Sequence, residues 1–99
     1  MNVAKMMKDL QKMQARLHGE VESLEVEASV GGGVVTARMN GKKELTFLKL
    51  TSEAITPQDP ELMQDLILAA VNEAGRKVDS EVQRLTQGMA SGLNIPGIP

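Results

Sequence analysis

The sequence predicts an α+β fold in which a helix, a three-stranded antiparallel meander and a second helix follow one another within one domain. Two observations predict this order. Apolar residues recur with a helical period near both ends of the 99-residue chain and alternate with polar residues in its middle. Breaks that contain glycine divide the alternating part into three stretches of strand length.

The first helix is predicted at residues 2–24, where apolar residues follow alternating steps of four and three. This apolar stripe consists of Val3, Met7, Leu10, Leu17, Val21 and Leu24, and it is widened by Met6 and Met13. The polar Gln14 interrupts the stripe once, and we expect the stripe to face the core. Four cations lie nearly opposite the stripe, and this basic row consists of Lys5, Lys8, Lys12 and Arg16.

The first two strands are predicted on either side of a glycine-rich break. Residues 24–30 alternate apolar and polar side chains, which indicates a strand with one solvent-exposed face. Residues 31–33 are all glycine and predict a tight turn, because no Gly-Lys-Ser/Thr motif follows that would indicate a phosphate loop. The second strand ends at Asn40 and Gly41, a pair that predicts a type I′ hairpin turn.

The third strand lies in the sequence KELTFLKL and has an irregular pattern. Leu48 and Leu50 are in phase with each other, whereas Leu45 and Phe47 are out of phase with them. This shift predicts either a β-bulge or a strand that is covered on both faces. A connection follows, with room for one turn of helix.

The second helix is predicted from Pro60 to about residue 89. Asp59, Pro60 and Glu61 provide an N-cap oxygen, a fixed φ and a first-turn acid. The early part is apolar nearly all round and is expected to lie against the sheet. The later apolar stripe narrows to Val71, Gly75, Val78, Val82, Leu85 and Met89. Residues 90–99, ASGLNIPGIP, are predicted not to continue the helix, and we predict a domain at 1–91 and a flexible Gly/Pro tail at 92–99.

The composition argues against several classes of function. There is no cysteine, and His18 is the only histidine, so we expect no enzyme, metal site or cofactor. The longest apolar run, LILAAV, is too short for a membrane span, and no secretory signal is recognisable, which favours a cytoplasmic protein. The net charge is −2, so any nucleic-acid binding would depend on local clustering of cations.

The basic row has two interpretations. Lys5 with Asp9 and Arg16 with Glu20 are spaced i,i+4, so the row could be a solvated face with weak ion pairs. Alternatively, a row of flexible cations on a rigid helix suits a regularly charged rod such as a nucleic-acid backbone. The residues alone leave both interpretations open.

The supply of large apolar side chains predicts a dimer. Phe47 is the only aromatic residue, so the core must consist of Leu, Val, Ile, Met and Ala, which bury less area per residue than aromatic rings. A monomer of this composition would be marginally stable, and we therefore expect further burial at a subunit interface.

Four segments, MMKDLQKMQARL, GGGVVTARMNG, PELMQDLILAAVNEAGRKV and GLNIPGIP, resemble in order and spacing the YbaB/EbfC family of bacterial nucleoid-associated proteins. The resemblance covers essentially the whole chain. It implies a homodimer that joins through the sheet region, with helices that project around duplex DNA. It also implies that the projecting helices contact DNA with little or variable sequence preference. The matching cations are Lys5, Lys8, Lys12 and Arg16, and on the second helix Arg76, Lys77 and Arg84.

The leading functional hypothesis is therefore a nucleoid-associated protein that clamps duplex DNA through its phosphates. The scarcity of aromatic residues argues against base stacking on single strands. The alternative is a prefoldin-like chaperone, since a small β unit between helical arms with exposed methionines suits binding of non-native proteins. The number of strands discriminates between them, because prefoldin-like subunits have hairpins between coiled-coil arms.

The tail generates a first testable prediction. Truncation after Ser91 should leave the melting temperature nearly unchanged, because Pro96, Gly97 and Pro99 preclude regular pairing with the domain. Calorimetry of the full-length and truncated chains measures this. A decrease of more than a few degrees would show instead that Leu93, Ile95 or Ile98 packs on the domain.

Overall fold

The computed structural model describes residues 2–55 and 59–93, with side chains to residue 87. Its elements are α1 (Val3–Glu22), β1 (Glu25–Val30), β2 (Val35–Asn40), β3 (Leu45–Leu50), α2 (Ser52–Ile55) and α3 (Pro60–Leu93). This order confirms the predicted helix, three strands and long helix, and α2 is the single turn of helix in the connection. The protein is elongated, with extents of 69 × 26 × 16 Å.

Both long helices begin at side-chain caps. Asn2 Oδ1 accepts a hydrogen bond from the Lys5 N–H at 3.1 Å, and Asp59 Oδ1 accepts one from the Leu62 N–H at 3.2 Å. Each bond satisfies a donor that the helix itself leaves unpaired. The predicted start of the second helix at Asp59 and Pro60 is thereby confirmed.

The three strands form an antiparallel sheet in the order β1-β2-β3, with β2 in the centre. Arg38 lies opposite Phe47 and Met39 lies opposite Leu45, so Thr46 is an extra residue in β3. This irregularity is the predicted β-bulge. Beyond it, Leu45 shares a sheet face with Leu48, and both belong to the face on which α3 packs.

The core lies between α3 and the β1–β2 part of the sheet and consists mainly of small residues. Its buried members are Ala28, Val35, Ala37, Met39, Ala54, Ala70, Ala74 and Val78. Half-buried leucine, isoleucine and valine side chains surround them, including Leu66, Ile67 and Val71. The early part of α3 therefore lies against the sheet, as its composition predicts.

The expectation that the α1 stripe faces the core is wrong. Every residue of α1 is exposed except Leu17 and Val21, which are half-buried. The physical reason is that α3 occupies the apolar face of the sheet, so α1 lies beside α3 and not on that face. The methionines of α1 remain in solvent: Met6, Met7 and Met13 are all at least half exposed.

The end of α3 also differs from the prediction. The helix continues through residues 90–93 to Leu93 and does not stop near residue 89. A glycine costs only about 1 kcal/mol in a helix, so Gly92 can be accommodated near its end. Residues 94–99 lie outside the described residues, and the boundary of the tail stays a prediction.

The turn between β2 and β3 is not the predicted type I′ turn. The Lys43 N–H donates to the Asn40 carbonyl, and the Asn40 N–H donates to the Glu44 carbonyl, both at 3.0 Å. The only positive φ in this turn is at Lys43, at 62°. The Asn40 side chain accepts from the Lys42 and Glu44 N–H groups, which stabilises this longer loop.

Gly41 has a different role from the one predicted for it. A Cβ atom built on Gly41 would overlap the backbone carbonyl oxygen of Val21, near the end of α1. The missing side chain therefore lets the last turn of α1 rest directly on the β2–β3 turn. This contact fixes the position at which α1 leaves the sheet.

We expect Gly41→Ala to destabilise the fold by about 1 to 3 kcal/mol, because the added methyl group must displace backbone. Gly19→Ala is the matched control, since a Cβ atom at this helical position meets nothing within 4 Å. The control should be neutral or stabilising by up to about 1 kcal/mol. Urea unfolding of both variants measures the difference, and equal midpoints would contradict the proposed role of Gly41.

Candidate functional site

The basic row lies along one exposed side of α1. Lys5, Lys8, Lys12 and Arg16 are all exposed. The rise of 1.5 Å per residue gives the row a length of about 17 Å. The row is therefore available along its whole length to a ligand outside the chain.

Only one of the two ion pairs predicted for this row is present. The Nε atom of Arg16 lies 3.6 Å from Oε1 of Glu20, with the Arg16 side chain 84% exposed. Lys5 and Asp9 do not form the other pair. Within residues 2–55 and 59–93, the ammonium groups of Lys5, Lys8 and Lys12 have no acidic partner. The interpretation of the row as a solvated face with ion pairs therefore applies only to its Arg16 end.

The three predicted cations of α3 are engaged within the chain. Arg76 donates from Nε and Nη2 to Glu73 Oε2 at 3.0 and 2.8 Å, and Arg84 repeats this geometry with Glu81. The hydrogen bond to Glu81 raises the pKa of Arg84 above its ordinary value. Lys77 donates from Nζ to the carbonyl oxygen of Glu27 on β1 at 2.7 Å.

The packing of α1 beside α3 brings some of these cations together and separates others. A groove of about 450 Å³ runs between the two helices, and its lining residues are Asp9, Lys12, Met13, Arg16, Leu17, Glu20 and Leu85. Arg84 is not among the residues that line this groove. Arg76 and Lys77 instead line a separate cleft beside Val26 of β1.

Sequence reasoning missed the charged pair Glu27 and Arg38, which lies beside Phe47 on the sheet face opposite α3. Arg38 donates from Nε to Glu27 Oε2 at 2.7 Å, and its guanidinium carbon lies 4.6 Å from the centroid of the Phe47 ring. The hydrogen bond to Glu27 raises the pKa of Arg38. The single aromatic ring is thus stacked against a cation of its own chain. Only the strand register reveals that Glu27, Arg38 and Phe47 are neighbours, because they are distant in sequence.

Strand β3 is an apolar edge of the sheet. Leu45 and Leu48 are 44% and 37% exposed on the face that α3 uses, but α3 covers mainly β1 and β2. Phe47 is exposed on the opposite face, where it lies across from Arg38. An edge strand with apolar side chains on both faces is a surface that proteins usually cover.

The described residues contain no arrangement typical of a catalytic or metal site. His18 is a surface histidine whose Nε2 atom lies 3.0 Å from Glu22 Oε1, with the imidazole 74% exposed. No group of three or more His, Asp or Glu side chains in the described ranges could hold a metal ion. A search of the same residues for a helix able to span a membrane found none.

Comparison with known proteins gives matches in sequence and in fold. The sequence model of the YbaB/EbfC DNA-binding family matches residues 1–93. A nucleoid-associated protein from Alkaliphilus metalliredigens is 46% identical over 96 residues, which cover 97% of this chain and 81% of the relative. A nucleoid-associated protein from Clostridium novyi is 43% identical over 101 residues, with 99% and 89% covered.

One solved structure is similar in fold. The crystal structure of an uncharacterized protein from Helicobacter pylori superposes with a TM-score of 0.67 and 24% sequence identity. The match covers 85% of this chain and 98% of that chain. At this level of identity the likeness concerns the fold alone.

Proposed function

The chain belongs to the YbaB/EbfC DNA-binding family, and from that premise we propose that it clamps duplex DNA as a homodimer through phosphate contacts of the basic row. The family is a DNA-binding family and not a family of enzymes. The observation that best supports the basic row is the free state of Lys5, Lys8 and Lys12. Within the described chain these three have no acidic partner, whereas Arg76 and Arg84 each have one.

Phosphate contact is the mode of binding that suits this row. Duplex DNA has one negative charge for about every 1.7 Å of its axis, so a row of about 17 Å meets several phosphates at once. Contacts of this kind position a protein on DNA without reading its bases. We therefore propose binding with little sequence preference.

The rest of the site favours duplex over single-stranded DNA. Proteins that bind single strands stack bases on exposed aromatic rings. Phe47 is the only aromatic residue, and its ring is already in contact with the guanidinium of Arg38. The basic row lies within one α-helix, Val3–Glu22, whose regular rise gives its cations a regular spacing along a rigid duplex.

Dimerisation through the sheet region is supported by the exposed edge strand. Leu45, Phe47 and Leu48 leave apolar surface on both faces of β3. A core built largely from alanine and valine adds little burial for a chain of 99 residues, so a second copy on this edge would add stability. The helices α1 and α3 would then project from a central sheet region as two arms.

The relatives named nucleoid-associated proteins suggest where the protein acts. We propose that it resides in the cytoplasm on the nucleoid, with double-stranded DNA and a second copy of itself as partners. The chaperone alternative is favoured by the exposed methionines of α1 alone. The three-stranded sheet argues against it, because prefoldin-like subunits have hairpins in this position.

The basic row is tested by changing Lys5, Lys8, Lys12 and Arg16 together to Gln. The helix should remain, with stability changed by only about 1 kcal/mol, because Gln has a similar helix propensity and the row is exposed. Each phosphate contact contributes about 0.9 to the slope of log affinity against log salt, and a dimer has two rows. If half of these cations touch DNA, the slope should flatten by roughly 3 to 4 units.

The matched control changes Arg76, Lys77 and Arg84 to Gln. These cations already have partners within the chain, so the loss of affinity should be clearly smaller than for the basic row. Fluorescence anisotropy with unrelated duplexes over a salt series measures both variants. Unchanged affinity and slope in the folded basic-row variant would mean that the row is only a solvated face.

Sedimentation equilibrium at low micromolar concentration should give the mass of a dimer. Leu48→Glu should shift the equilibrium towards monomer, because it places a charge on the apolar edge strand. Gln83→Glu adds the same charge at an exposed position of α3 away from the sheet and should leave the dimer intact. A well-folded wild-type monomer would contradict the clamp.

A further inference from the structure

We propose that the N-terminal half of α1 is a contact surface between separate dimers, through which an arm of one clamp pairs with an arm of the next. The proposal rests on the proposed clamp and goes beyond it. The surface, called here the exposed stripe, consists of Val3, Met6, Met7, Leu10 and Met13. These five side chains are between 40% and 61% exposed.

The exposed stripe continues a seam that is already used for helix packing. Val3, Met7, Leu10, Leu17 and Val21 follow the four-three spacing of a coiled-coil seam, which the polar Gln14 interrupts once. In the C-terminal half of α1, Leu17 is half-buried and lines the groove to Leu85 of α3. In the N-terminal half, the seam residues Val3, Met7 and Leu10 are 61%, 58% and 40% exposed. The C-terminal half of the α1 seam thus packs against α3, whereas the N-terminal half of the same seam is exposed.

The positions that flank the a and d residues of the seam suit pairing with an identical helix. In coiled coils, charged residues at the flanking e and g positions determine which partner is accepted. With Leu10 at position d, the flanking residues of this half are Ala4 and Gln11 on one side and Met6 and Met13 on the other. None of them is charged, so two copies can meet without repulsion.

The orientation of α1 allows the exposed stripe and the basic row to be occupied together. Lys5, Lys8, Lys12 and Arg16 fall at heptad positions f, b, f and c, outside the a and d positions of the seam. Lys12 and Arg16 also line the groove beside α3. A helix that holds phosphates on one side can therefore contact a second protein helix on the other. Clamps bound side by side or on two duplexes could be joined in this way.

The small size of the exposed stripe sets the strength of the contact. Eleven residues of helix cover about 17 Å, and such a pair buries less than the roughly 1,200 Å² of a standard interface. The contact should therefore be weak between free dimers. DNA that holds many clamps in a row raises their effective concentration, so the same contact becomes cooperative there.

The test uses a neutral variant, Met7→Gln with Leu10→Gln and Met13→Gln, and a conservative variant, Met7→Leu with Met13→Leu. Neither changes the charge of α1, and Gln and Leu have helix propensities close to that of Met. All three proteins should bind a short duplex that holds a single dimer with equal affinity. On a long duplex, wild type and the conservative variant should bind cooperatively, with at least tenfold tighter half-saturation than the neutral variant.

Sedimentation velocity without DNA, at hundreds of micromolar, gives an independent measure. Wild type and the conservative variant should form species larger than the dimer, and the neutral variant should remain a dimer. Failure of wild type to bind the short duplex would refute the clamp, whereas the association without DNA would still decide the contact between dimers.

Three results would overturn the proposal. The first is equal cooperativity in the neutral variant and wild type. The second is a neutral variant that becomes monomeric, which would place the exposed stripe inside the dimer. The third is a neutral variant with unchanged association that loses the ability to suppress aggregation of reduced insulin. That outcome would make a non-native protein the occupant of the stripe.

Discussion

The close packing of α3 on the first two strands is the contact on which the rest of the structure depends. Ala70 and Ala74 of α3 meet Ala28 and Ala37 of the sheet, and all four are fully buried. Such small side chains allow the helix axis to lie close to the sheet. The contact area is therefore closely packed but narrow. It covers β1 and β2 and leaves β3 to solvent.

Both unusual surfaces of the protein follow from this narrow contact. Because α3 already occupies the apolar face, α1 packs beside α3 near Leu17 and Leu85 and on the β2–β3 turn at Val21. The other described residues of α1 are exposed. The helix can then offer cations on one side and apolar residues on the other. The uncovered β3 provides the edge at which the proposed dimer forms. A larger core would have buried the sides of α1 and the edge strand β3, on which the proposed function depends.

The sequence predicted the elements, their order, the start of α3 and the β-bulge, because each depends on neighbouring residues. It failed where the outcome depends on a distant part of the chain. Helical periodicity marks a stripe but does not say what covers it, so the α1 stripe was wrongly assigned to the core. Gly41 is explained by Val21, twenty residues away, and Lys77 by the Glu27 carbonyl, fifty residues away. Neither contact can be predicted without knowing how the helices pack against the sheet and its turns.

The continuity of α3 couples the core to the tip of the arm. One uninterrupted helix runs from the buried Val78 to Leu93, a distance of about 22 Å, with no proline between them to act as a hinge. A rotation of about 5° at the sheet therefore moves the tip by about 2 Å. The packing of the core alanines thus determines the direction in which the far end of α3 points. In the proposed clamp, the opening between the arms would therefore depend on the volume of methyl groups in the core, far from the DNA.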